Sequence, residues 1–268
     1  MKIALAQLNS IDDLNTNFKS VVDLIEIAKI EKPDMIIFPE NSLFFRLESD
    51  SKVKAVRLDD LIFIDLQKIS DETKIALHIT TAIEDSDKQV FNASVFMQPG
   101  QQPMIIYRKV HLFNIALINQ KPIRESDSFV NGNEPTLFEY KGFKFGSSIC
   151  YDIRFSELYS FYAREKVDVI LVPSAFLVKT GQAHWEILLR ARAIESQCYI
   201  LAPAQAGQHV SPKTGASRET YGNTMAVDPW GKILVQKSKE VGLVFIEVDK
   251  NEIKTVRTQI PMSDHRRL

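Results

Sequence analysis

Two cysteines in 268 residues are too few to frame a disulfide-held fold. A reduced, cytoplasmic protein is therefore expected, and each thiol is either a small core residue or a reactive group. Ten glycines supply no Gly-rich loop of the kind that cradles phosphate. There is no excess of charge of one sign: 33 basic residues stand against 34 acidic ones, a net of −1, which argues against a dedicated nucleic-acid binder. No uninterrupted apolar run approaches the roughly 20 residues of a membrane span. The stretch Met1 to Gln7 is too short for the apolar region of a signal peptide. No His/Cys/Asp cluster has metal-ligand spacing, so neither a metal nor a cofactor is expected. What remains is 45% apolar and 25% charged residues, the composition of a soluble globular chain. Its length allows one large domain or two small ones, and with no linker signal near the middle a single domain over residues 1–268 is expected.

Strand and helix signals alternate along the chain. Ile3 to Leu8 predicts a strand. Leu14, Phe18, Val21, Val22, Ile25 and Ala28 follow a helical period, and Pro33-Asp34 stops it. Met35 to Phe38 is a continuous apolar run of buried-strand type. A second helical pattern runs from Val56 through Leu58, Leu61, Ile62 and Leu66 to Ile69, followed by a strand at Ile75 to Ile83. Phe91–Met97 with Met104–Arg108, and Thr136–Tyr140 with Phe143–Cys150, predict hairpins. Helices follow over Phe155–Lys166 and His184–Ser196, with a buried strand at Val169–Val172 between them. Tyr199–Ala204, Thr224–Val227, Ile233–Gln236 and Leu243–Val248 predict strands, and Asn251–Thr258 a last helix. Gln208 to Glu219 reads as a polar, loop-like insertion.

One internal echo stands out. Asp34-Met35-Ile36-Ile37-Phe38-Pro39-Glu40 matches Asp168-Val169-Ile170-Leu171-Val172-Pro173-Ser174 in kind. It suggests two similar α/β halves whose strands end at a shared site. The element order implies two mixed sheets face to face, with helices outside.

Three residues at predicted strand ends carry candidate chemistry. Cys150 follows a strand and precedes a helix, the geometry that exposes a nucleophile near N–H donors able to lower its pKa. A buried core thiol is the alternative. Glu40 follows Phe38-Pro39; it is either a base in a partly dry cleft or a solvated loop charge. Lys109, in Tyr107-Arg108-Lys109-Val110-His111, is either part of a short basic patch or one ammonium aimed into a site. Together they supply what amide hydrolysis through a covalent intermediate needs: a nucleophile, a proton carrier and a positive charge for the oxyanion.

In this order the three segments resemble the nitrilase superfamily of carbon–nitrogen hydrolases. Phe38-Pro39-Glu40, Tyr107 to Leu112 and Cys150 to Phe155 match its three motif regions, and the resemblance extends from Ala4-Leu5-Ala6-Gln7 to Asp228-Pro229-Trp230-Gly231. Within it, Ala183 to Tyr199 and the terminal His265-Arg266-Arg267 are most similar to the Nit branch, the deaminated-glutathione amidases in particular. The resemblance implies a four-layer α-β-β-α sandwich that forms a homodimer or higher homo-oligomer, and a Glu-Lys-Cys triad. It also implies a second glutamate, matched by Glu125, that orients Lys109 or shares the proton work. Two positions depart from the family pattern: Asn41-Ser42-Leu43-Phe44 after Glu40, and Ser156 where proline is usual.

Arg154, four residues past Cys150, is the candidate reader of a substrate carboxylate; an ion pair with Glu157 is the alternative. Tyr151, Phe45, Phe113, Ser174, Phe176 and Thr180 are further pocket candidates, with the Tyr151 backbone N–H beside Lys109 as oxyanion donor. His184-Trp185 is expected to pack its helix, Cys198 to lie in the core, and Arg190, Arg192 and Glu195 to pair with each other or with a partner subunit. The substrate implied is a small amide, a 2-oxo-dicarboxylate monoamide: deaminated glutathione first, 2-oxoglutaramate as the alternative, and nitriles or N-carbamoyl compounds after these. A non-catalytic scaffold is the remaining class, disfavoured by the intact triad.

Overall fold

The computed structural model describes residues 1–48, 51–116 and 122–267. The first half runs β1 (Lys2–Gln7), α1 (Leu14–Ala28), β2 (Met35–Ile37), α2 (Leu61–Thr73), β3 (Ala76–Glu84), β4 (Val90–Met97), β5 (Met104–Arg108), then two short strands, β6 (Asn114–Ile115) and β7 (Ile123–Arg124). The second half runs β8 (Leu137–Tyr140), β9 (Phe143–Ser147), a 3-10 turn (Cys150–Arg154), α3 (Ser156–Arg164), β10 (Val169–Leu171), α4 (Val178–Ser196) and β11 (Tyr199–Ala202). It closes with β12 (Ala206–Val210), β13 (Ser217–Tyr221), β14 (Thr224–Val227), β15 (Ile233–Lys237), β16 (Gly242–Glu247), α5 (Lys250–Gln259) and α6 (Met262–His265).

Two six-stranded sheets result, ordered β16-β1-β2-β3-β4-β5 and β15-β14-β11-β10-β9-β8. Each has a parallel centre, β1-β2-β3 and β9-β10-β11, with antiparallel strands outside it. β2 and β10, the two echoed segments, occupy equivalent central places.

The apolar runs follow from burial on both faces. Side chains alternate along a strand, so a strand between a helix layer and another sheet is apolar at every position. Ile36 and Phe38 pack toward α1 and α2, while Met35 and Ile37 face the other sheet. Ile170 and Val172 pack toward α3 and α4, while Val169 and Leu171 face inward. The three apolar clusters are thus the three interfaces of an α-β-β-α sandwich.

Several boundaries differ from the sequence expectation. Val56 and Leu58 precede α2, and Val56 instead bridges to Ile83. α4 begins at Val178, before the expected His184, so Thr180 sits in its first turn. Gly181 weakens the helical signal there, yet a Cβ at this position would come within 2.2 Å of the Tyr221 ring. The glycine is required by the close approach of α4 to β13. The stretch Gln208 to Glu219 is a paired hairpin of β12 and β13, with Gln208 opposite Glu219.

Candidate active site

Cys150 opens the turn after β9 with φ +49°, a left-handed backbone that turns the chain sharply between strand and helix. Its own N–H donates to the Pro173 carbonyl at 3.0 Å, which ties the elbow to the end of β10. The buried Asp152 carboxylate holds the turn from inside. It accepts from the Ile149 N–H at 2.9 Å, the Tyr107 hydroxyl at 2.8 Å and the His111 N–H at 2.9 Å, and it pairs with His111 Nδ1 at 2.7 Å. The His111 ring stacks on Phe155 with centroids 3.6 Å apart. Tyr107 and His111, which flank Lys109 in sequence, thus fix the turn that carries Cys150.

Glu40, Lys109 and Glu125 form one buried cluster. Lys109 Nζ donates to Glu40 Oε1 at 2.8 Å and to both Glu125 oxygens, at 3.0 and 2.8 Å. Asn92, on β4, was not foreseen. Its Nδ2 bridges the two carboxylates, donating to Glu40 Oε1 at 2.8 Å and Glu125 Oε1 at 2.9 Å. Among the described residues its buried Oδ1 has no partner. The Phe113 N–H donates to Glu125 Oε2 at 2.6 Å. Each Glu125 oxygen is therefore engaged twice, whereas among the described residues Glu40 is engaged in this way through Oε1.

The electrostatics follow from this wiring. Burial works against the Lys109 charge, but Glu125 and Glu40 hold its pKa well above the ordinary lysine value. Burial pushes the Glu125 carboxyl up, yet Lys109, Asn92 and the Phe113 N–H together leave it below its ordinary value. Cys150 corrects the expectation of a depressed thiol. Burial raises it well above its ordinary value and Glu40 adds to the rise, while Lys109 and the Ala175 N–H pull the other way. The resting thiol is neutral, and its ionisation needs a base.

One cavity is lined by Glu40, Lys109, Glu125, Cys150, Tyr151, Arg154, Phe45, Phe113, Phe176 and Thr180, all anticipated. Ser174 is not on its wall: its hydroxyl donates to the Val172 carbonyl at 2.9 Å, and Ala175 lines the cavity instead. Arg154 makes no ion pair with Glu157 among the described residues. Both its terminal nitrogens lie 3.3 Å from His184 Nδ1, and its guanidinium sits 5.8 Å from the Tyr151 ring centroid and 5.6 Å from that of Phe176. His184 is thus exposed beside the cavity rather than packed, whereas Trp185 is buried and donates to the Asn223 carbonyl at 2.8 Å. Arg192 pairs with Glu195 at 2.9 Å and holds the turn through Nε to the Ile153 carbonyl at 2.8 Å; Arg190 pairs with Glu186 at 3.3 Å. Cys198 is fully buried in the core. Arg46 and Arg218 also line the cavity and were not anticipated. Among the described residues no group of three or more His, Cys, Asp or Glu side chains could hold a metal ion, and no helix is long and apolar enough to cross a membrane.

Comparison with known proteins shows the family of the chain. The carbon–nitrogen hydrolase family model matches residues 2–258. A deaminated glutathione amidase of Synechocystis is 32% identical, covering 98% of this chain and 97% of the relative. The probable hydrolase nit2 of Schizosaccharomyces pombe is 36% identical, covering 97% and 95%. The crystal structure of Saccharomyces cerevisiae Nit3, a member of branch 10 of the nitrilase superfamily, superposes with a TM-score of 0.84 at 29% identity, covering 100% of this chain and 97% of that one. With a matching family model over nearly its whole length and relatives above 30% identity end to end, the chain belongs to the carbon–nitrogen hydrolase family and is an amide-cleaving enzyme of the nitrilase fold.

Proposed function

We propose that the chain hydrolyses a 2-oxo-dicarboxylate monoamide through a Cys150 thioester, with deaminated glutathione as the first substrate and 2-oxoglutarate and cysteinylglycine as products. The observation that carries this reading is the buried Glu40–Lys109–Glu125 cluster facing a neutral thiol, in a cavity that also holds Arg154. The full-length likeness to deaminated glutathione amidases supports the substrate class.

The hydrogen-bond inventory supports different work for the two carboxylates. Glu125 is saturated by Lys109, Asn92 and the Phe113 N–H, so it holds Lys109 in place and stays ionised. Glu40 keeps Oε2 for the thiol, so it is the base. Glu40 takes the Sγ proton and the thiolate attacks the amide carbon. Lys109 and the Tyr151 N–H stabilise the oxyanion as charge develops. Glu40 then protonates the departing amine, the C–N bond breaks, and a thioester remains. Glu40 next deprotonates a water, which attacks the thioester; the acid leaves and the thiol regains its proton. Arg154 holds the carboxylate of the acyl part through its two parallel donors.

Residues 1–268 act as one catalytic unit, since Glu40 and Lys109 come from one sheet's half and Cys150 and Arg154 from the other's. The unit works as a homodimer in a reducing compartment. Ile187 and Ile194, seven residues apart on α4, and Trp230 are exposed at 70%, 48% and 56%, an apolar face suited to a second copy. A panel of amides, nitriles and N-carbamoyl compounds, with products identified by mass spectrometry, tests the activity. Fast release of 2-oxoglutarate from 2-oxo monoamides is expected. Turnover confined to nitriles or N-carbamoyl compounds, or no preference for acidic amides, overturns the reading.

A further inference from the structure

Arg218 belongs to β13, in the hairpin that sequence alone reads as a loop, and its side chain reaches the same cavity as Cys150. Its guanidinium lies 5.3 Å from the centroid of the Phe45 ring. Phe45 is itself pinned edge-on by His209, with centroids 4.6 Å apart. His209 is locked between the Ser10 carbonyl and the Thr220 hydroxyl, each at 2.7 Å. The aromatic platform is rigid, and Arg218 is laid out on it. Among the described residues no ion pair or hydrogen bond engages the Arg218 side chain. Burial pulls its pKa below the ordinary arginine value, with Glu40 and Cys150 opposing and Arg46 adding to the fall. Such a cation is short of counter-charge, and a bound anion would supply it.

The charge balance of the whole cavity points the same way. Arg46, Lys109, Arg154 and Arg218 line it against only Glu40 and Glu125, an excess of two positive charges among the described residues. Lys109 is consumed by the two glutamates. Arg46 is partly engaged, donating from Nη1 to the Ser128 hydroxyl at 2.7 Å. Arg154 and Arg218 rest on different rings: Arg154 on Tyr151 and Phe176, Arg218 on Phe45. A 2-oxo monoamide whose leaving group is ammonia carries one carboxylate. An amide whose leaving group is a short peptide carries two, one on each side of the scissile bond, and no single guanidinium can serve both.

The geometry points to a cavity built for a dianionic amide, in which Arg154 holds the acyl carboxylate and Arg218 holds the terminal carboxylate of a peptide leaving group. This rests on the reading of the chain as a 2-oxo monoamide hydrolase and decides within it between a peptide-type and a primary amide substrate.

Three substrates test it: deaminated glutathione, the same compound with its terminal carboxylate capped as a carboxamide, and 2-oxoglutaramate. The wild type is expected to favour the uncapped over the capped compound by about 10–100-fold in kcat/KM, the fold-change of one charge-assisted pair. Arg218→Gln should collapse that ratio toward one, chiefly through KM, and Arg218→Lys should restore part of it. Arg154→Gln should lower kcat/KM on all three substrates alike. If Arg218→Gln lowers the capped and uncapped compounds by the same factor, the residue only supports Phe45 and the inference fails. It also fails if the wild type ignores the cap or hydrolyses 2-oxoglutaramate alone, results that leave the monoamide reading standing. No turnover of any of the three overturns the parent reading together with this one.

Discussion

Asn92 is the most exacting test of the proposed division between the two carboxylates. Its amide donates at 2.8 Å to Glu40 and at 2.9 Å to Glu125, and its backbone carbonyl accepts from the Lys109 N–H at 2.8 Å. Only the amide nitrogen can face two carboxylates, so Oδ1 is left buried and unpaired. An orphaned acceptor costs about 1–3 kcal/mol, and the fold tolerates it here to keep two carboxylates bridged. Asn92→Ala removes two donors to charged acceptors, each worth about 1.5–3 kcal/mol. Part of that is recovered by water entering the space, so kcat/KM should fall about 10²-fold while the circular dichroism spectrum is retained. Asn92→Asp keeps the shape and inverts the electrostatics. A third carboxylate about 3 Å from the other two would meet a repulsion of roughly 5 kcal/mol per pair at an effective dielectric of 20. The new carboxyl therefore holds its proton near neutrality and can serve only one neighbour. Activity of Asn92→Asp should fall further as pH rises and that proton is lost, a limb the parent does not share. Steady-state kinetics from pH 5 to 9 on a 2-oxo monoamide, with melting curves alongside, measure this. An Asn92→Asp enzyme within about threefold of the parent across that range would refute the bridging role.

Three further outcomes follow from the same geometry. Iodoacetamide should label Cys150 and abolish activity; Cys150→Ser should be inactive, whereas Cys198→Ala, in a core with no route to the cavity, should keep most turnover, and the reverse order of labelling would contradict the assignment. Lys109→Met should lower kcat by at least about 10²-fold, as loss of one oxyanion donor does, and a kcat within about threefold of the parent would rule that role out. Acid should destabilise the fold through two buried histidines: burial lowers His78 to about 3 and His209 to about 4, against 6.5 unfolded. The unfolded chain binds protons that the folded chain refuses, so stability is full above pH 6.5 and falls as pH drops toward 4, by roughly 3 kcal/mol per histidine. His78, whose ring nitrogens are both unpaired, can be replaced with leucine; the melting temperature of His78→Leu should then fall less between pH 7 and 4, and an unchanged slope would count against this account.

What was legible in the sequence was whatever a strand or a turn announces locally. The β2 and β10 runs declare themselves because both faces of those strands are apolar, and the charged or polar residue after each proline marks where the strand leaves the core. The Cys150 elbow was legible as a turn between an apolar strand and a helix, but by itself it read equally as a core thiol, and only Glu40 and Lys109 at other strand ends singled it out. The thiol's raised pKa was not legible, because the helix-terminal donors are local while the burial that outweighs them is tertiary. Asn92 sits inside the apolar strand Val90–Met97, 52 and 33 residues from its two partners, and reads as any polar interruption. Arg218 was hidden for the opposite reason. Its hairpin is mostly polar, with Gln208, His209, Ser217, Glu219 and Thr220 around Arg218, so little apolar alternation survives to mark the strands. The first turn of α4 was missed because Gly181 breaks the helical pattern for the sake of Tyr221, a contact no local window contains.

The residues that join the two halves explain why the site exists only in the folded sandwich. Glu40 ends one sheet's central strand, but its backbone carbonyl is held from the other half, by Gln205 Nε2 at 2.9 Å. The same amide group donates to the Ser10 hydroxyl at 2.9 Å and accepts from the Ser10 N–H at 2.9 Å through Oε1. Beside it, Leu8 and Ala206 pair backbone to backbone at 2.8 Å, and Leu8 reaches the Ala204 carbonyl at 3.3 Å. Cys150 is likewise fixed through Pro173, at the end of the opposite central strand, and Ala175 two residues on aims its N–H at the sulfur. The proposed base and nucleophile are thus each carried past the end of a parallel strand, and a buried glutamine with a short backbone ladder ties those ends together. A base must lie within hydrogen-bond reach of the proton it takes, so a shift of about 1 Å in this stitch would separate Glu40 from the thiol without touching either residue. In the proposed mechanism the chemistry lies in Glu40, Lys109 and Cys150, while their alignment rests on Gln205, Ser10 and Asn92, to which that mechanism gives no chemistry of their own.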